Sequence, residues 1–295
     1  MADKKTNALA QVDAATLAVY PILNPEEQSL ALQCVQENLG ANGIAISDLD
    51  KVTVPPGGGT TFEIPTIDGE TEPSKTIEGI IVLADEKKAN WAKTLEDDPN
   101  AAPNCYSNDC VTGYGDPMET GTLAQHSCAL CPKNVWGSDL KGGKGKACKD
   151  MRPLYLLMEG SYIPLIVQVP KKSLRHIRKY LTRLSGKGIP FYGCITRFAL
   201  YKVAGAGTPD YSELVPSLVS LVPKAQWSTI KAYQDSLKLK TSEPPTAAEA
   251  VHAATADEYD PFKEEQGSGI DRTIEPENIT QPDTTFEEEA PTTEE

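Results

Sequence analysis

The 295-residue chain carries 22 glycines and 23 prolines, 39% hydrophobic residues and a formal net charge of -14, which allows a sizeable core alongside unfolded stretches. No run approaches the roughly 18 consecutive apolar residues of a membrane span, and residues 1–9 (MADKKTNAL) lack the apolar run of a signal peptide. A cytosolic protein is therefore expected rather than a membrane-spanning or exported one, and its seven cysteines, an odd set, favour metal or free-thiol chemistry over a disulfide framework.

Residues 1–23 show no strong pattern and are expected to be flexible. Asn24 is placed to cap a helix over 25–38, with Pro25 at its first position, Glu26 and Glu27 in its first turn and Gly40 as its stop. Leu30, Leu32, Val35 and Leu39 supply its expected apolar face. Residues 44–55 read as turn and strand before the breaker PPGGG at 55–59, and the β-branched run Thr76–Ala84 (TIEGIIVLA) predicts a strand. Residues 95–150 are rich in Gly, Asn, Asp, Pro and Cys without a hydrophobic period, and an irregular insertion of that length needs something to hold it.

LYLLM at 154–158 and YIPLIVQV at 162–169 flank Glu159, Gly160 and Ser161 as a hairpin. Ser173 fits the N-cap of a helix over Leu174–Ser185, where Leu174, Ile177, Leu181 and Leu184 recur at helical spacing. Residues 190–203 return to strand, and 211–238 read as one or two terminal helices. This order suits a mostly β, α+β fold with an OB-like Greek-key barrel, a generic α+β domain being the alternative. The expected division is a flexible segment at 1–23, one domain at 24–240 with its insertion at about 95–150, and a disordered tail at 241–295.

Charge is distributed unevenly along the chain. Residues 243–295 hold 16 acidic side chains against Lys263 and Arg272, whereas residues 131–202 hold 15 Lys or Arg against Asp139, Asp150 and Glu159. A basic centre followed by an acidic tail is concealed by the low overall isoelectric point.

Five of the seven cysteines, Cys105, Cys110, Cys128, Cys131 and Cys148, fall in the insertion. Cys128 and Cys131 form a C-x2-C pair in HSCALCPKN whose spacer lets two thiolates reach one ion. Cys105 lies 23 residues before it and Cys148 lies 17 after it, so Cys105, Cys128, Cys131 and Cys148 are a candidate set for one structural Zn2+ per chain, with Cys110 and His126 as competing ligands. A set of free cysteines without a role or a redox pair is the alternative, the redox pair being disfavoured by Pro132 after the second cysteine and by the lack of a thioredoxin-like βαβ pattern.

Directly after the pair come Lys133, Lys141, Lys144, Lys146, Lys149 and Arg152, and the next predicted helix adds Arg175, Arg178, Lys179 and Arg183 along one broad face. GGKGKAC at 142–148 is not a Walker A loop, because Ala147 stands where a hydroxyl is needed. Trp136, Tyr155 and Tyr180 are interleaved with these charges as candidate stacking faces for nucleic-acid bases. Only three histidines exist and carboxylates are sparse in the basic region, so an enzyme is not expected.

The run CALCPKNVWGS, then GGKGKACK, LYLL and IPLIVQVPKKSLRHIRKYLTRL over residues 25–205 resembles the zinc-containing, OB-fold, helix-destabilising single-stranded DNA-binding proteins of tailed bacteriophages. The resemblance implies zinc ligation by Cys105, Cys128, Cys131 and Cys148, binding of single-stranded DNA during phage replication, recombination or repair, and a cytoplasmic location in an infected bacterium. It also implies an acidic tail that competes with DNA and contacts replication or recombination proteins, here through Phe286, Glu287, Glu288 and Glu289. This sequence departs from such proteins in a ligand set that needs no histidine and in having only Lys4 and Lys5 as a basic N-terminal segment. The alternatives are a zinc-stabilised adaptor that binds an acidic protein, and an RNA or duplex-DNA binder in transcription control.

Overall fold

The computed structural model describes residues 19–40, 44–52, 54–55, 57–92, 102–139, 144–205 and 209–237. The expected acidic tail, with Phe286, Glu287, Glu288 and Glu289, lies outside the described residues, as does Lys141. Among the described residues three helices, α1 (Pro25–Leu39), α2 (Leu174–Ser185) and α3 (Trp227–Leu237), accompany thirteen strands in a mixed fold dominated by strands. None of these helices is long and apolar enough to cross a membrane.

The main sheet has six strands: β1 (Lys51–Val52), β4 (Thr76–Ala84), β10 (Pro153–Leu157), β11 (Leu165–Gln168), β12 (Cys194–Val203) and β13 (Tyr211–Leu221). They run in the spatial order β1-β11-β10-β4-β12-β13. Every pairing is antiparallel except β1 with β11. Both faces are covered, which explains why β4 and β10 read as nearly continuous apolar runs. Ile80, Val82, Tyr155, Leu157 and Ile166 face a core closed by Tyr20, Ile22, Leu23 and, from α3, Ile230 and Tyr233. Ile77, Ile81, Leu154, Leu156, Val167 and Phe198 face the other core, with Ile177 of α2. Phe62 joins that second core from a separate hairpin of β2 (Phe62–Pro65) and β3 (Thr71–Ser74).

The β10–β11 hairpin and the strand Thr76–Ala84 form where the sequence places them, and Asn24 caps α1 by accepting the Glu26 N–H at 3.0 Å. Other expectations are corrected. The ladder is open among the described residues: β1 and β13 are its two edges and do not pair, so no closed Greek-key barrel forms. A two-residue β1 offers little to pair with, and the β13 edge is covered by the lead-in to α2, where Ser173 Oγ accepts the Leu214 N–H at 2.8 Å instead of capping its own helix.

Residues 211–221 form a strand and not a helix, because an eleven-residue run rich in Val, Leu and Ser pairs along all of β12. Residues 19–23, expected to be flexible, bring Tyr20, Ile22 and Leu23 into the core. On α1 the buried residue is Ala31, while Leu30 and Leu39 are exposed.

The described part of the insertion is not irregular. It forms a second antiparallel sheet in the order β8-β7-β6-β5-β9, from β5 (Lys87–Asn90), β6 (Cys105–Ser107), β7 (Thr112–Gly115), β8 (Ala124–Ser127) and β9 (Lys149–Met151). These strands are three or four residues long with little apolar content, so no period shows in the sequence. Only Asp85 and Glu86 separate β4 from β5, and only Arg152 separates β9 from β10. The central β4–β10 pair therefore continues as β5–β9, and the small sheet grows from the end of the large one.

Candidate functional site

The small sheet gathers four cysteines. Cys105 opens β6, Cys128 and Cys131 lie on the turn after β8, and Cys148 immediately precedes β9. All four are buried and none is in a disulfide. Together with His126 they line one pocket enclosing about 10 Å³ of free space, room for an ion and not for a substrate. Backbone bonds fix the turn: Cys148 N–H donates to Lys133 O at 2.8 Å, Cys128 N–H to Val111 O at 2.9 Å, and the Asn134 side-chain amide to Cys128 O at 2.8 Å.

Burial, reinforced by the sulfurs of Cys131 and Cys128, pushes the Cys105 thiol up to about 11. Burial likewise pushes Cys148 up to about 12 against the pull of Lys88. Neighbouring buried thiols that resist ionisation are what a soft cation would convert to thiolates, so the donor set suits zinc. Among the described residues, however, no three His, Cys, Asp or Glu side chains close into a metal-holding group.

The competing donors differ in position. His126 Nε2 lies 3.3 Å from Cys105 Sγ. Its ring crosses the face of Gly113, its partner on β7, where an added Cβ would come within 2.5 Å of Nε2. Cys110 lies instead on the neighbouring cleft and is not among the residues lining the sulfur pocket.

That cleft, about 370 Å³, runs from the small sheet to α2. Its cations come from three stretches of sequence: Lys87 and Lys88, then Lys146, Lys149 and Arg152, then Lys171, Arg175 and Arg178, against Glu86 and Asp150 among its described lining residues, and Lys149 pairs with Asp139 at 3.0 Å. Trp136 lines the same cleft, half-buried, with Lys146 Nζ 5.2 Å from its ring centroid. Asp150 pairs with Lys88 and, at 3.2 Å, with Lys146. Burial opposes ionisation of Asp150 and Lys88, yet their attraction prevails, lowering the Asp150 carboxyl and raising the Lys88 ammonium. Arg175 is held from behind by Glu213 at 3.2 Å, and Glu213 also meets His176 Nε2 at 2.7 Å.

Of the sequence candidates, Trp136, Lys146, Lys149, Arg152, Arg175 and Arg178 share this cleft. Lys133 lines the sulfur pocket instead, and Lys144, Lys179 and Arg183 are exposed elsewhere. Tyr155 and Tyr180 offer no stacking face and are corrected to core residues. Tyr155 is wholly buried in the main sheet, and Tyr180 meets Thr196 Oγ1 at 2.9 Å beneath α2. Lys87, Lys88 and Lys171 were not among the site candidates. The first two reach the cleft only because β4 continues into β5, although the KK pair at 87–88 directly after an apolar strand was a visible signal. No protein-family model, curated protein or solved structure matches the chain.

Proposed function

We propose that this protein binds single-stranded DNA without catalysing a reaction, holding the phosphate chain in the cleft and a base against Trp136. One observation carries the reading: eight Lys and Arg side chains from three separated stretches converge on one concavity that holds two carboxylates and an accessible indole. Such a groove gains affinity by releasing counterions from phosphates. An aromatic face adds about 1 to 3 kcal/mol per stacked base whatever the sequence. The reading needs this basic wall and not a closed OB-like barrel.

In the same proposal a structural zinc ion sits among Cys105, Cys128, Cys131 and Cys148, with His126 as the competing donor. Four protein ligands leave no open position for a nucleophilic water. The ion's part is to fix the small sheet, which supplies one wall of the cleft. A role in phage replication or recombination, and a tail around Phe286 that competes for the cleft and recruits replication proteins, complete the proposal.

The test is fluorescence anisotropy of labelled single-stranded and duplex oligonucleotides across a salt series, with the full chain and with a truncation ending at Ser242. Tight, salt-weakened binding to single strands, strengthened by truncation, supports the reading. Absence of binding at low salt by both proteins rejects it. One observation favours an adaptor as the second reading: Val111, Leu123 and Leu130 of the small sheet and its turns are 65%, 82% and 86% exposed, an apolar surface suited to a protein partner. Retention of a partner after nuclease treatment, without oligonucleotide binding, would favour it.

A further inference from the structure

Arg152 occupies the single-residue joint between β9 and β10 and lines the cleft. Its side chain is only 16% exposed, and one guanidinium nitrogen pairs with the half-exposed Glu86 at 2.6 Å. Its Nε is buried and makes no hydrogen bond. A guanidinium largely withdrawn from water and paired with one half-exposed carboxylate carries a desolvation cost that an anion in the cleft offsets. A second arginine, Arg178 of α2, lines the same cleft, and its like charge works against the Arg152 guanidinium. Two arginines from unrelated elements, the first paired with Glu86, therefore share a corner of the cleft.

An internal phosphodiester brings one negative charge to such a corner. A phosphomonoester brings close to two at neutral pH, with three acceptor oxygens for planar guanidinium forks. The free space, about 370 Å³, lies at the small end of the range for small-molecule pockets, room enough for one nucleotide of a bound strand. We infer that the Arg152–Arg178 corner is a seat for a phosphomonoester, so that the protein prefers a strand end bearing a terminal phosphate, or a free mononucleotide, over the interior of a strand. This deepens the single-strand reading and rests on it for the strand-end form.

The experiment compares one labelled single-stranded oligonucleotide carrying a 5′-phosphate, a 3′-phosphate or hydroxyls at both ends, using the full chain, and adds calorimetric titration with deoxythymidine 5′-monophosphate. At least fivefold tighter binding of one phosphorylated end is expected. Arg152→Gln and, because Arg152 is partly buried, the exposed-site variant Arg178→Gln should each reduce that preference below twofold, whereas Lys187→Gln, outside the cleft, should keep it. Equal affinity for all three oligonucleotides with no heat from the mononucleotide overturns the inference and leaves the single-strand reading standing. Mononucleotide binding that Arg178→Gln abolishes, without binding of any oligonucleotide, keeps the seat and removes the single-strand reading. No response to any of these ligands removes both.

Discussion

His176 Nε2 lies 2.7 Å from Oε2 of Glu213, a carboxylate buried on β13 whose other oxygen holds Arg175 at the rim of the cleft. Burial works to raise the Glu213 carboxyl, but hydrogen bonds and charge from His176 and Arg175 outweigh it and keep the group below its usual value of 4.5. A carboxyl lowered by folding contributes stability that is full above its unfolded value and fades as pH falls through the folded one.

Glu213→Gln should therefore destabilise the fold by about 2 kcal/mol at pH 7. The gap from the wild type should narrow as pH drops below the usual value of 4.5, where the unfolded chain takes up the proton before the folded one does. Urea denaturation at several pH values measures it, and a gap of constant size from pH 7 to pH 4 would refute the assignment. The same variant should weaken oligonucleotide binding several-fold by releasing Arg175.

Trp136 and Tyr155 make a paired test of face against core. Trp136→Ala should cost about 1 to 3 kcal/mol of single-strand affinity with little change in stability. Tyr155→Ala should cost about 3 to 5 kcal/mol of stability, as expected for emptying a wholly buried aromatic site. Melting curves and anisotropy on both variants check this, and a reversed pattern would move the site away from Trp136.

Salt dependence can count the contacts. Each lysine that neutralises a phosphate steepens the logarithmic salt slope by about 0.7 for single strands. Lys146→Gln and Lys149→Gln should each flatten that slope by about this amount, while Lys179→Gln, exposed outside the cleft, should leave it nearly unchanged.

Metal analysis addresses the sulfur pocket. About one zinc per chain is expected, lost in Cys131→Ser together with part of the thermal stability, and retained in Cys110→Ser, whose thiol faces the cleft. Gly113→Ala should displace His126 through its new Cβ. Unchanged zinc content after that substitution would confirm four sulfur ligands, and loss of zinc would bring His126 into the set.

The sequence disclosed those parts whose signal is local. TIEGIIVLA, the LYLLM hairpin and the Leu174–Ser185 helix are legible because apolar residues repeat within one element. The clustering of cysteines and the basic stretch at 133–152 are legible for the same reason. What was misread depends on tertiary partners. The run at 211–221 becomes strand through the long β12 available to it, and Tyr155 and Tyr180 look the same as surface aromatics until the residues of the first core close over Tyr155 and the main sheet packs against Tyr180. Lys87 and Lys171 meet in one cleft although 84 positions apart, a convergence that only the β4-to-β5 continuation and the placement of α2 create.

That continuation also bears on how fast the chain folds. Pairing Ala84 with Leu154 joins positions 70 residues apart, so the central ladder waits on closure of a long loop whose entropic cost grows with its length. The described strands inside that loop are those of the small sheet. If Cys105 and Cys148 are tied to one ion first, the slack left to close is shortened before β4 meets β10. Refolding in the presence of a chelator should then be slower than in its absence, and the delay should fall on formation of the large sheet, which contains none of the four cysteines.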